Sequence, residues 1–94
     1  MYRIKKSHYR IFAEQIAQQI EGRDWFSGVL EVASDGLKHR LELVLVVYRD
    51  AQSGEVVDVA DVWWDSCTFT DENCTNPPKI NDFDFAKLYK ELVG

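Results

Sequence analysis

An Asp-Gly pair lies between two runs of alternating apolar residues, and this pattern constrains the fold more than any other feature. Asp35 and Gly36 are the residues that a type I′ hairpin turn prefers, because both central positions of that turn have a positive φ. The flanking runs, residues 25–34 and 37–49, place an apolar residue at most core-face positions, as Leu41, Leu43, Leu45 and Val47 do in the second run, which is typical of strands. We therefore predict two antiparallel strands joined by a two-residue turn.

A two-residue turn also fixes the register of these strands. The predicted pairs on the core face are Val32 with His39, Leu30 with Leu41, Gly28 with Leu43, and Phe26 with Leu45. On the opposite face, the same register sets Glu31 beside Arg40, which is a favourable cross-strand pair.

A third strand is predicted from about Glu55 to Trp64, after a hairpin loop over residues 50–54. Its first core-face residues are expected to be Val57 and Val59. Strict alternation would then place Asp61 on the core face as well.

A β-bulge near Ala60-Asp61 would remove that conflict, because it would turn Asp61 outward and bring Val62 and Trp64 onto the core face. Farther on, Thr68-Phe69-Thr70 has strand propensity and is expected to form a short extra strand or to extend the third one. The sequence Asn76-Pro77-Pro78 then breaks regular structure.

Helical spacing of apolar residues predicts one helix at each end of the chain. The first is expected from about His8 to Glu21, with Ser7 as its N-cap and Gly22 beyond its C-terminus. The second is expected from about Phe83 to Val93. Asn81-Asp82 form a good N-cap pair for this second helix.

The predicted element order is therefore α-β-β-β-α in an α+β fold. Hairpin connections make the three-stranded sheet antiparallel, and both helices are expected to bury their apolar stripes on one face of it. Ninety-four residues are enough for one core and too few for two, so we expect residues 1–94 to form a single domain.

The net charge of −5 is unevenly distributed along the chain. Residues 1–40 carry a balance of +2 and residues 41–94 a balance of −7. From Asp50 to Asp84 there are nine acidic residues and a single basic one, Lys79. Such a surface repels nucleic acid and anionic membranes, and it favours a basic partner. A phosphate-mimicking protein that occupies a nucleic-acid-binding partner is one further hypothesis that this charge supports.

The element order is shared with double-stranded-RNA-binding domains, which bind phosphates partly through a lysine-rich start of the C-terminal helix. The matching segment here, residues 81–84, is acidic. Topology without those charges does not assign a function, and we predict no nucleic-acid binding.

No motif in the sequence indicates a catalytic, metal or cofactor site. Cys67 and Cys74 have only His8 and His39 as further soft ligands, whereas structural zinc sites use four Cys or His residues in paired short spacings. No apolar segment follows the basic N-terminus in the manner of a signal peptide. We therefore expect a cytoplasmic protein in which both cysteines are free thiols.

The sheet face away from the helices carries more large apolar side chains than a solvated face normally does. The residues that we predict there, as an interaction surface, are Trp25, Val29, Val44, Val46, Tyr48, Val56 and Trp63. A second copy, another protein, or the chain's own loop over residues 65–79 would have to cover part of this surface.

The sequence thus favours a non-enzymatic accessory or protein-interaction module that forms a homodimer through the open sheet face. The alternative is a small enzyme or ligand-binding protein that uses a pocket between this face and the loop over residues 65–79. For an enzyme, a perturbed carboxylate or histidine in a cleft would be required.

Overall fold

The computed structural model describes residues 1–93, and in it the first apolar stripe forms helix α1 (Lys6–Ile20). The predicted N-cap, Ser7, is wrong: the helix begins after Lys5, whose backbone N–H donates to His8 Nδ1 at 3.1 Å. At the other end, Glu21 and Gly22 both have positive φ, 50° and 81°, so the chain leaves the helix in the left-handed conformation that glycine favours.

The predicted hairpin is confirmed as strands β1 (Trp25–Ser34) and β2 (Leu37–Arg49). Asp35 and Gly36 have φ of 55° and 77°, as a type I′ turn requires. The register agrees at every predicted pair, including Glu31 opposite Arg40. The Arg40 guanidinium donates to Glu31 Oε2 at 3.1 Å.

The third strand, β3 (Val56–Phe69), is longer than predicted because Thr68 and Phe69 extend it. Its register against β2 shifts twice, and each shift leaves one residue of β3 unpaired: Val62 and Val57. The first bulge lies next to the predicted position. The second, at Val57, was not predicted. Both bulged valines are exposed, 65% and 53%, so the expectation that Val57 and Val62 face the core is wrong.

Helix α2 (Phe85–Val93) begins two residues later than predicted. Asp84 caps it, since the Asp84 carboxylate accepts a hydrogen bond from the Ala86 backbone N–H at 3.0 Å. Asp82 instead holds the N-terminus of the chain, because its Oδ1 accepts the Ile4 N–H at 2.6 Å.

The sheet order is β1-β2-β3, with antiparallel neighbours and both helices on one face. Apolar side chains from α1, the inner face of the sheet, Phe83 and α2 form one buried cluster, in which Phe12, Leu41, Leu45 and Leu88 are fully buried. We call the opposite side of the sheet the outer face. Among the described residues, neither helix has the length and apolar character that a membrane crossing requires.

Candidate functional site

The outer face is a grid of side chains whose rows are set by the strand register. Each row takes its name from its member on β2, and the register gives the following rows. The Val46 row is Trp25, Val46 and Ala60; the Val44 row is Ser27, Val44 and Trp63; the Glu42 row is Val29, Glu42 and Asp65; and the Arg40 row is Glu31, Arg40 and Cys67.

Four large side chains of this face remain in contact with water. Trp25, Val29, Tyr48 and Trp63 are each 50–53% exposed, although all four belong to regular strands. Val44 and Val46 lie between them on β2 and are half-buried. The structure therefore brings six of the seven predicted surface residues together on one face.

Val56 is the exception and must be removed from the predicted surface. The bulge at Val57 reverses the alternation at the start of β3, so Val56 pairs with Arg49 and packs against the core cluster instead. The bulge at Val62 decides which of the two neighbouring tryptophans faces outward. It leaves Trp63 on the outer face and turns Trp64 inward, where its ring lies 4.8 Å from that of Phe83.

The loop after β3 covers only one end of the outer face. Phe69 lies opposite Lys38, in the row beyond the Arg40 row, and is 7% exposed. The Arg40 guanidinium lies 4.8 Å from the centre of its ring. Cys74 follows in the loop, with its Sγ 3.9 Å from Arg40 Nη2. The chain's own cover thus ends at the Arg40 row, and both Val rows stay open.

Each exposed tryptophan shares its row with a small side chain on the opposite edge of the sheet. Trp25 on β1 is in line with Ala60 on β3, whereas Trp63 on β3 is in line with Ser27 on β1. The Arg23 guanidinium lies 4.8 Å from the centre of the Trp25 ring and stacks on it. Ser27 and Ala60 were not singled out from the sequence, because the small side chains matter only once the register places them.

The two cysteines lie near each other on the covered end of the outer face, and both are free thiols there. Burial raises the pKa of Cys67, and the neighbouring Arg40 opposes this shift. A raised thiol pKa disfavours the reactive thiolate at neutral pH.

The inner face carries a buried polar cluster that the sequence did not predict. His8 and His39 are 4% and 1% exposed, and their rings lie 4.8 Å apart. The Thr68 hydroxyl is fully buried, lies 2.7 Å from His39 Nδ1, and accepts a hydrogen bond from Asn81 Nδ2 at 3.1 Å. No sequence pattern indicates this cluster, because its members come from four separate segments. It joins α1, β2 and β3 to the segment before α2.

Burial lowers the pKa of both His8 and His39, and the positive charge that His8 would carry lowers the pKa of His39 further. Neutral imidazoles in this position join elements together by hydrogen bonding and packing. Neither ring lines any of the three clefts described below.

Clefts occur on the helix side of the molecule and at its termini. One lies between α1 and α2 and is lined by Ile4, Lys6, Tyr9, Lys87 and Lys90 together with Glu91. Another lies near Ile20, Val47 and Val56, and a third lies beside Met1 and Ile80. None of these three occupies the space between the outer face and the loop over residues 65–79, where the enzyme hypothesis requires a pocket.

Within residues 1–93, no three His, Cys, Asp or Glu side chains converge in a way that would hold a metal ion. In comparisons with known proteins, no family model matches the chain, and neither a curated protein nor a solved structure is similar to it. The outer face is therefore the feature from which a function must be argued.

Proposed function

We propose that this chain is a protein-interaction module that self-associates through the open part of its outer face. The observation that carries the proposal is the exposure of Trp25, Val29, Tyr48 and Trp63 around two half-buried valines on a regular sheet. Contiguous apolar surface of this kind marks interaction sites in proteins that otherwise keep such side chains from water. Aromatic residues also dominate the energetics of interfaces.

The size of the open surface sets the expected strength of the contact. With strands about 4.8 Å apart and a rise of about 3.4 Å per residue, the open part of the face covers roughly 400 Å² per copy. The total of about 800 Å² for the two copies lies below the range of stable specific interfaces and is typical of weak, transient complexes. We therefore expect a dimer that dissociates on dilution.

A second copy is a suitable occupant because the face carries its own complement. Each tryptophan is a projection, and each row that holds one also holds a small residue over which another tryptophan fits. An isologous contact places the same patch on both subunits, so a face with both features can bind itself. The proposed setting is the cytosol, where Cys67 and Cys74 remain thiols.

Val46→Glu tests the proposal, because Val46 lies at the centre of the open surface and points away from the core. An unpaired carboxylate buried in an apolar contact costs several kcal/mol, so we expect self-association to weaken by about 100-fold or more. Sedimentation velocity over the micromolar to millimolar range measures this. Val57→Glu is the matched control, since Val57 is an exposed valine outside the rows of the outer face and the same change there should leave association intact.

Three results are informative about the proposal. A wild-type protein that stays monomeric at every concentration contradicts it. So does a wild-type dimer that Val46→Glu leaves unchanged. Equal weakening by Val46→Glu and Val57→Glu would mean that added negative charge, and not the outer face, is responsible.

A further inference from the structure

Large and small side chains occupy opposite corners of the Val44 and Val46 rows on the outer face. Trp25 projects at the β1 edge of the Val46 row, and Trp63 projects at the β3 edge of the Val44 row. The hollows are the positions of Ser27 and Ala60, which occupy the other diagonal. Two such faces pack closely only if every tryptophan of one copy meets a small residue of the other.

Two arrangements with twofold symmetry satisfy this condition. An axis along β2 exchanges the edge strands and keeps the rows, so Trp25 meets Ala60 of the second copy and Trp63 meets Ser27. An axis across the strands, between the Val44 and Val46 rows, keeps the edges and exchanges the rows. In that arrangement Trp25 meets Ser27 of the second copy and Trp63 meets Ala60.

The loop after β3 separates the two arrangements on steric grounds. It covers the Arg40 row, as the 3.9 Å distance between Cys74 Sγ and Arg40 Nη2 and the burial of Phe69 show. An axis along β2 lays this row over the same row of the second copy, so both loops would occupy one space. An axis across the strands carries the two loops to opposite ends of the stacked sheets.

Charge does not separate the two arrangements, because each brings acidic residues of the two copies together, and the axis across the strands sets Asp65 over Asp58 of the second copy. An axis along β2 sets Glu42 directly over Glu42 of the second copy, and like charges in a partly dehydrated contact repel each other. The axis across the strands sets Glu42 over Tyr48 instead, because the row beyond the Val46 row holds Tyr48 on β2. The Tyr48 side chain is exposed, and its hydroxyl can donate a hydrogen bond to the Glu42 carboxylate of the second copy.

We infer that the partner at the outer face is a second copy stacked antiparallel, with its twofold axis across the strands between the Val44 and Val46 rows. Trp25 of each copy lies over Ser27 of the other, and Trp63 over Ala60. This geometry rests on the self-association proposed above and adds to it which side chains of the two copies meet.

Two double variants with nearly the same composition test the geometry. Trp25→Ser combined with Ser27→Trp moves the projection along β1, so under the inferred axis each tryptophan still meets a small residue. Trp25→Ala combined with Ala60→Trp moves it across the sheet. Under the inferred axis, the new tryptophan at position 60 then meets Trp63 of the second copy.

We expect the swap along β1 to sediment as a dimer within about threefold of the wild-type dissociation constant, which corresponds to less than about 0.7 kcal/mol. We expect the swap across the sheet to be monomeric at the same concentrations. The reverse outcome would assign the axis along β2 and overturn the inference while the proposed function stands. Loss of the dimer in both swaps, or its retention in both, would show that the tryptophans do not meet these small residues, and it would overturn the inference too.

A distance measurement tests the same geometry without altering the tryptophans. A spin label at Asn73→Cys, with Cys67→Ser and Cys74→Ser, reports the separation of the two exposed loops. The inferred axis places the labels about 45 Å apart, given about 3.4 Å per residue along the strands. A separation under about 25 Å would contradict it. Dilution into the monomer range must abolish the signal, and a wild-type monomer would contradict the proposed function itself.

Discussion

Trp25 and Trp63 lie on the two edge strands of the same sheet face, in adjacent rows, and each is about half exposed. The third tryptophan, Trp64, points to the other face and packs on Phe83. The fluorescence of two of the three indoles should therefore depend on whether the outer face is in contact with water, whereas that of Trp64 should not.

Tryptophan emission should move to shorter wavelength as the protein concentration rises, because Trp25 and Trp63 leave water when the outer faces meet. Steady-state fluorescence across the dimerisation range measures the shift. Val46→Glu should show no concentration dependence. A shift of equal size in Val46→Glu would mean that the indoles respond to something other than the outer face.

Added salt should strengthen self-association severalfold between about 0.05 and 0.5 M NaCl, because each copy carries a net charge of −5 and screening reduces their mutual repulsion. Sedimentation at several salt concentrations tests this. A basic protein partner would behave in the opposite way, since salt weakens attraction between unlike charges. Self-association that weakens with salt would therefore count against the apolar contact.

The stability of the fold should fall as the pH drops below about 6.5, the ordinary histidine pKa. Burial lowers the pKa of His8 and His39 in the folded chain, so the unfolded chain binds more protons in this range. The loss begins near the unfolded pKa and ends below the folded values. Exposed carboxylates with lowered pKa values, such as Asp71, do not take up protons near pH 6.5, where the loss begins.

Denaturant unfolding at pH 7.5 and pH 5.5 measures this dependence on the histidines. The double variant His8→Gln/His39→Gln is the comparison, because glutamine has similar polarity and no proton to gain. We expect the difference between the two pH values to shrink in the variant. An unchanged difference would assign the pH dependence to other groups.

Thr68→Val should destabilise the fold by about 1–3 kcal/mol, because it removes a buried hydroxyl that both His39 and Asn81 contact and leaves their polar atoms without that partner. Thermal or denaturant unfolding gives the value. Thr70→Val is the control, since its hydroxyl serves only the exposed Asn76 amide and should cost under about 0.5 kcal/mol. Equal costs at the two positions would contradict the role given to the buried cluster.

Binding to nucleic acid should be absent or weak at physiological salt, in keeping with the acidic second half of the chain. The fold does bring Lys87 and Lys90 of α2 close to Lys6 of α1, which the sequence alone could not show. A mobility-shift titration with double-stranded RNA and DNA tests the prediction. A salt-sensitive micromolar affinity would contradict it, and loss of that affinity in Lys87→Glu would locate the site.

The parts of the fold that the sequence predicts are those that local chemistry determines. Asp35 and Gly36 specify a turn of known length, and that turn aligns every residue of two strands without any long-range information. The bulge at Val57 has no such signal. Val56 and Val57 have the same side chain, so only the packing of Val56 against the core decides which one faces inward.

The buried cluster is unpredictable for a related reason. His39 and Thr68 are 29 residues apart in the sequence, and neither periodicity nor a motif connects them. The Val44 and Val46 rows, by contrast, are partly predictable. The alternation placed Trp25 and Val46 on the outer face, whereas the alignment of Ala60 with Trp25 depends on where β3 is bulged.

The two bulges also determine how this strand tolerates insertion and deletion. Each unpaired residue switches the inward side chains of β3 between even and odd positions, so Val56, Val59 and Trp64 all face the core although their numbers do not share one parity. Deleting either valine would remove one bulge and leave the other residues of β3 on their present faces. Without Val62, however, Asp61 would lie in a regular ladder on the inward side and its carboxylate would face the core, whereas the loss of Val57 would bring no charge inward. Deletion of one residue should therefore be far better tolerated at position 57 than at position 62. An alignment with a bulge-free sheet of the same order should open single gaps at these two positions.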